Sequence, residues 1–220
     1  MRPGLSLSVA VVALLLSSAP ESVQVRAALT HDALGRLELW RLWSGHVVHF
    51  GAAHARGDLL AFVVWASLLE ARSRALLGAL LVLAAPLSSV AILLWCGTLA
   101  EYRGLSALDA SLFVAVMLVR GEQGHASNFS CGVWRLGLTA FALKCSYEFI
   151  TGRALLAPDL GSGAALLPFA HVVGAVLGAI SALVFMRHNR RIGAKAQVAR
   201  ARGDLRSLLR VGSRSAVRAR

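Results

Sequence analysis

Tyr102-Arg103-Gly104-Leu105-Ser106-Ala107-Leu108-Asp109 opens directly into a run of apolar residues, Ala110 to Val119. Such a run, rich in Leu, Ala and Val and without period-2 alternation, reads as a helix in an apolar setting. Ser106 stands at its mouth, beside a glycine. A membrane protein can expose a hydroxyl to chemistry at such a point. By itself, a serine there more often bonds its own backbone or a neighbouring helix. Its meaning depends on whether the rest of the chain supplies a base and an oxyanion site at the same depth.

Working outward, the 220 residues are 57% hydrophobic, with a mean hydropathy of +0.65. The apolar residues fall in long runs, which excludes an ordinary soluble domain and points to an all-α polytopic membrane protein. Of the 23 Lys/Arg, eleven lie between Arg187 and Arg220, with Asp204 as the one acid there. The net charge of +12 is therefore mainly a tail. After an apolar helix such a tail reads as cytoplasmic and resting on anionic headgroups, and no nucleic acid is expected as a partner. Cys96, Cys131 and Cys145 are odd in number and lack ligand spacing, so neither a disulfide framework nor a metal site follows, and no cofactor is expected.

Six runs read as spans, at about 4–20, 53–70, 75–97 (interrupted by Pro86), 105–120, 136–151 and 168–187. They form a membrane domain over 1–187, followed by the basic tail 188–220. The first run has the length of a signal-peptide core, but Pro20 directly follows Ala19 and disfavours cleavage there, so it reads as a retained span. Residues 21–51 are polar, then rich in histidine and tryptophan around Trp40-Arg41-Leu42-Trp43, and read as a surface or re-entrant loop with an interfacial belt. Residues 121–135 read as a polar loop whose Asn128-Phe129-Ser130 matches a glycosylation sequon, a pattern common by chance. Residues 152–167 read as a further loop. Lys144 and Glu148, four apart, read as an internal ion pair. Six spans put both termini on one side, and the tail makes that side cytoplasmic. Arg72 and Arg74, with Arg120 and Arg135, agree; Arg26, Arg36 and Arg41 in the first loop mildly disagree.

This topology places His54, Ser106 and His171 near the N-terminal ends of even-numbered spans, all near the outer leaflet. Gly104, Gly174 and Gly178 allow spans four and six to approach closely. A serine facing an imidazole is the minimum for nucleophilic catalysis. Neutral His171 can take the Ser106 proton near pH 7. The Ser106 backbone N–H and His54 are candidate oxyanion donors. No carboxylate stands out to orient His171, so the expectation is a dyad. Each residue alone has a plainer reading, as an interfacial histidine or a packed serine.

In order along the chain, these residues resemble the rhomboid intramembrane serine proteases. His49, His54 and Asp58 resemble the second-span motif of two histidines followed by asparagine. Gly104-Leu105-Ser106-Ala107 resembles Gly-x-Ser-Gly, and His171-Val172-Val173-Gly174 with Gly178 resembles the last-span His-x-x-Gly-x-x-x-Gly. Trp40-Arg41 matches a Trp-Arg pair of the first external loop. Trp40 to His46, Tyr102 to Ser106, and Lys144 with Glu148 are similar to the compact six-span rhombosortase branch.

The resemblance covers about 38–187. It implies a six-transmembrane-helix rhomboid-like bundle in a bacterial inner membrane. It implies Ser106 as nucleophile, His171 as base, His54 as oxyanion donor and His49 as support, with Gly104 and Asp58 beside them. It implies transmembrane-anchored protein substrates, such as surface proteins with a Gly-Gly motif before a C-terminal anchor. Three positions depart from the pattern. Ala107 adds a methyl where helices pack, Ala110 stands where many rhomboids carry a tyrosine against the base, and Asp58 replaces asparagine. An ionised Asp58 facing an oxyanion would repel it, so it must be protonated, turned away or bonded to His54. The rival readings are an inactive rhomboid-like protein that binds transmembrane helices, and a small transporter using His54, Asp58 and the Lys144–Glu148 pair.

Overall fold

The computed structural model describes residues 4–123, 128–153, 155 and 167–218. Their regular structure is helical, apart from one isolated bridge between Leu29 and Tyr102. The helices are α1 (Gly4–Ser17), α2 (Glu21–Ala27), α3 (His31–Gly35), α4 (Arg41–Ser44), α5 (Ala52–Arg72), α6 (Arg74–Ala79), α7 (Ala85–Trp95), α8 (Ser106–Gln123), α9 (Asn128–Thr151) and α10 (Pro168–Arg218). The chain divides into two units, Met1–Ala182 and Leu183–Arg220. The second is helical to Arg218 and carries the eleven basic residues from Arg187 to Arg220.

Among the described residues, three helical stretches are long and apolar enough to cross a membrane: Ala52–Arg72, Arg74–Trp95 and Pro168–Lys195. Helix α1 is apolar but has only 14 residues. Helices α8 and α9 carry charges within their length, among them Asp109, Lys144 and Glu148. The placement of these residues is inside-out for a water-soluble protein. Leu15, Leu60, Leu94, Leu136, Ile150 and Val184 are exposed, while Ser6, Glu70, Arg103, Asp109, Ser111 and Glu148 are buried. Apolar surface on that scale marks an interaction with membrane or partner, and inward-facing polar groups are the pattern of helices in lipid.

Side-chain contacts fix the order of the helices. The α1 end meets the far end of α5, where Glu70 accepts from the amides of Leu5 and Ser6 at 2.9 Å and from the Ser6 hydroxyl at 2.8 Å. These are first-turn amides that the helix itself cannot satisfy. At the other end Ser17 Oγ lies 2.7 Å from His49 Nδ1, so α1 runs antiparallel to α5. Trp65 of α5 packs edge-on against Phe113 of α8, and Phe113 packs against Phe141 of α9. A Cβ built on Gly137 would lie 3.1 Å from Met117 Sδ. The pairs Phe113/Phe141 and Met117/Gly137 step in opposite senses, so α9 is antiparallel to α8.

Helix α10 joins α8 by backbone contact. A Cβ on Gly174 would sit 2.0 Å from the Ala107 carbonyl oxygen, and one on Gly178 would sit 2.2 Å from that of Ser111. Both pairs advance by four residues in the same direction, so α8 and α10 are parallel and their N-terminal ends lie together. The small-residue spacing predicts this approach, and only glycine permits it.

Other boundaries differ from the sequence expectation. The expected loop at 121–135 is mostly helix: α8 continues to Gln123 and α9 starts at Asn128. The stretch holds no proline, and Val133 and Trp134 suit a helix as well as a loop. Residues 124–127 and most of the expected loop at 152–167 lie outside the described residues. The third apolar run is not broken at Pro86. Proline lacks an N–H and crowds the carbonyl four residues earlier, and the helix accommodates it with a π-helical turn at Leu80–Ala84. The carbonyl in question, of Val82, accepts from Trp43 Nε1 at 3.3 Å.

The segment 21–51 is a folded cap of short helices rather than a plain loop. Arg41, expected at the interface, is 8% exposed. Its Nε pairs with Glu38 at 2.5 Å, and its Nη1 donates to the Val25 and Ala28 carbonyls at 3.2 and 2.9 Å. One guanidinium thus ties α2, the following turn and α4 together. His46 is fully buried, with Nε2 3.0 Å from the Ala85 carbonyl and 3.0 Å from Ser89 Oγ. Burial pushes the His46 imidazole down to about 4, so it is neutral at physiological pH.

Candidate active site

The segment entering α8 is held by backbone bonds to the cap. Leu29 and Tyr102 exchange N–H···O bonds of 3.1 and 2.8 Å, and the Gly104 amide donates to the Gly45 carbonyl at 3.0 Å. Gly45 must be glycine, because a Cβ there would lie 2.9 Å from Leu29 Cβ. Arg103 is buried, paired with Glu21 at 2.8 Å and Glu101 at 2.9 Å, and its guanidinium lies over the Phe50 ring. Gly104 then adopts φ +131°, which disfavours side chains other than hydrogen. The turn releases the chain into α8 with Ser106 as its first residue. The Ser106 amide is among the first-turn N–H groups without an intrahelical acceptor.

Ser106 is half-buried. The Tyr102 hydroxyl donates to the Gly104 carbonyl at 3.0 Å and lies within hydrogen-bonding reach of the Ser106 side chain and the Ala107 amide. Burial raises the Tyr102 phenol above its usual range, and the charges of Asp58 and Asp109 add to this against the opposing bonds from Ser106 and Ala107. Tyr102 is therefore a neutral phenol beside the serine.

On the α5 side, a Cβ on Gly104 would meet His54 Cε1 at 3.1 Å and Asp58 Oδ2 at 3.3 Å. Asp58 Oδ2 lies 3.3 Å from His54 Nε2 and 3.4 Å from His49 Nε2. These are ion-pair distances that fall short of aligned hydrogen bonds. The two imidazoles meet edge to face, with centroids 5.2 Å apart. Thus Ser17, His49, Asp58 and His54 form one chain of polar contacts leading to Gly104. His54 Nδ1 is buried without a partner.

On the α10 side, His171 sits three residues before Gly174, hence on the face of α10 that touches Ala107. Its Nδ1 lies 3.1 Å from Glu148 Oε2, close but short of hydrogen-bond alignment. The same oxygen accepts from Lys144 Nζ at 2.7 Å, and Glu148 Oε1 accepts from the Leu155 amide at 3.1 Å. The expected Lys144–Glu148 pair is present, but the sequence reading missed its third member. Only the register of the folded helices supplies it: seven residues back on α8 from Phe113 is Ser106, and seven forward on α9 from its ring partner Phe141 is Glu148. Asp109, one turn past Ser106, is a second buried carboxyl that the reading passed over, and its Oδ1 has no partner.

The contacts group His49, His54 and Asp58 beside Gly104, and join His171 to Glu148 near the α8–α10 crossing. No group of three or more His, Cys, Asp or Glu suited to a metal ion occurs among the described residues. No known protein-family model matches the chain, and no curated protein is significantly similar to it.

Proposed function

We propose that this chain is an intramembrane serine endopeptidase of rhomboid type, a six-span bundle that cleaves a transmembrane-anchored protein near the outer membrane face. The observation that carries the reading is the glycine-mediated crossing of α8 and α10. The Gly174–Ala107 contact lies one residue from Ser106 and three from His171 along the chain, which supports pairing the two. The buried polar cluster behind Gly104 supports it, because charged side chains at that depth in apolar helices mark function more often than packing.

In the proposed reaction Ser106 Oγ attacks the scissile carbonyl carbon while His171 takes the hydroxyl proton. The carbonyl oxygen becomes an oxyanion, met by the Ser106 amide and by His54 Nδ1. Collapse breaks the C–N bond, and His171 returns its proton to the leaving amine. Water then attacks the Ser106 ester by the same route in reverse. For His54 Nδ1 to donate, the His54–Asp58 pair must hold two protons, one between Nε2 and Asp58 and one on Nδ1. Asp58 thereby becomes an accessory of the donor rather than its opponent. By the rhombosortase likeness, the substrates are surface proteins with a C-terminal helical anchor. The same reading puts both termini in the cytoplasm of a bacterium, with the basic tail on the anionic inner leaflet.

The test is cleavage of a helical transmembrane substrate by the protein reconstituted in liposomes. Cleavage is expected for the natural sequence and at background for Ser106→Ala and His171→Ala. Substrate binding without cleavage by the natural sequence would instead identify an inactive helix-binding relative, and undiminished cleavage by Ser106→Ala would refute the assignment.

A further inference from the structure

We infer that Glu148 is a positioning residue for His171, so that the catalytic group is a Ser106–His171–Glu148 triad with Lys144 as the counter-ion of its carboxylate. This rests on the endopeptidase reading above and extends it. Three independent observations converge. The antiparallel register of Phe113/Phe141 and Met117/Gly137 brings Glu148 level with Ser106. The parallel register of Ala107/Gly174 and Ser111/Gly178 brings His171 to within a turn of that level. The contact itself then closes the arrangement, with Glu148 Oε2 3.1 Å from His171 Nδ1.

The carboxylate is built in rather than incidental. Glu148 is 1% exposed, and it is gripped by the Lys144 ammonium and the Leu155 amide at 2.7 and 3.1 Å. A Lys–Glu pair at four-residue spacing satisfies itself and needs no histidine. Directing one oxygen at Nδ1 as well gives His171 a defined tautomer. Nδ1 keeps its proton facing the carboxylate, and Nε2 is left with the lone pair that must accept from Ser106 Oγ. When Nε2 gains that proton, the imidazolium lies beside a fixed negative charge. An unaligned contact at 3.1 Å does not exclude this role, since catalytic hydrogen bonds tighten in the complex.

The experiment uses the full chain in liposomes with a helical transmembrane substrate. It compares kcat and KM for the natural sequence, Glu148→Gln, Lys144→Met/Glu148→Gln and Ser106→Ala. Glu148→Gln is expected to lower kcat about 10⁴-fold, the loss on removing the orienting carboxylate of a triad, with KM within about three-fold. The double variant leaves no charge unpaired, so it remains interpretable where Glu148→Gln fails to fold. It is expected to be as slow as the single variant. Recovery of the natural kcat in the double variant would assign Glu148 only to neutralising Lys144 and overturn the inference. So would a Glu148→Gln enzyme of natural kcat beside an inactive Ser106→Ala. Cleavage by Ser106→Ala would remove the endopeptidase reading itself, a distinct outcome.

Discussion

Gly174→Ala is the sharpest perturbation of the proposed site, because it changes one hydrogen to a methyl at the α8–α10 contact. The added carbon would stand 2.0 Å from the Ala107 carbonyl oxygen and 2.8 Å from its carbon. Reaching a tolerable separation of about 3 Å demands that the two backbones part by about 1 Å, since neither helix can yield at a rotamer. Overpacking of this kind costs about 1–3 kcal/mol. The larger effect falls on chemistry. His171 rides on α10 one turn from the clash and Ser106 is the neighbour of Ala107, so the displacement enters the Ser–His distance almost undiluted. A misplacement of about 1 Å costs about 10²-fold in rate.

The assay is cleavage rate in liposomes beside thermal unfolding in detergent, with Gly132→Ala and Gly137→Ala as controls. A Cβ on Gly132 meets nothing within 4 Å, and one on Gly137 meets the flexible Met117 Sδ at 3.1 Å. Gly174→Ala is expected to lose about 100-fold in rate with a modest fall in Tm, while both controls stay within a few-fold. A folded Gly174→Ala protein of natural rate would show that this crossing does not set the Ser106–His171 geometry.

Two further outcomes test the surrounding parts. Asp58→Asn is expected to keep or raise the cleavage rate. An amide N–H can donate to His54 Nε2 and leave the single imidazole proton on Nδ1, with no carboxylate near the oxyanion; complete loss of activity would show that the charge is required. His46 contributes to the loss of stability in acid. Its native imidazole titrates near 4 against 6.5 unfolded, so the unfolded chain binds a proton first as pH falls. The stabilisation is whole above about pH 6.5 and lost by about pH 4, a swing of about 3 kcal/mol. Tm measured across that window should fall, and less steeply in His46→Gln; parallel slopes in the two proteins would contradict this role.

Much of the arrangement was legible as pattern. Helices α5 and α10 follow from their apolar runs, and Gly174 and Gly178 announce a close crossing because no other residue fits a backbone contact. What the sequence concealed depends on register. Lys144 and Glu148 form a complete local pair, so nothing in their spacing asks for His171; the third partner emerges only when Phe141 is laid against Phe113. The cap was similarly hidden. Arg41 reads as an interfacial arginine until its carbonyl acceptors, 13 and 16 residues upstream, fold back onto it. Pro86 reads as a break, yet the π-helical turn absorbs it and Trp43 takes up the Val82 carbonyl. Asp58 presents the reverse case. Its unfavourable charge was visible in the sequence, but its two imidazole contacts were not.

The central claim is that Ser106 is a nucleophile activated by His171. It is tested most directly by treating the membrane-embedded protein with a fluorophosphonate probe and locating the adduct by peptide mass spectrometry. The account predicts one adduct, on the Ser106 oxygen, formed by the natural sequence and absent from His171→Ala. Labelling at another residue, or equal labelling of Ser106 when His171 is alanine, would contradict it.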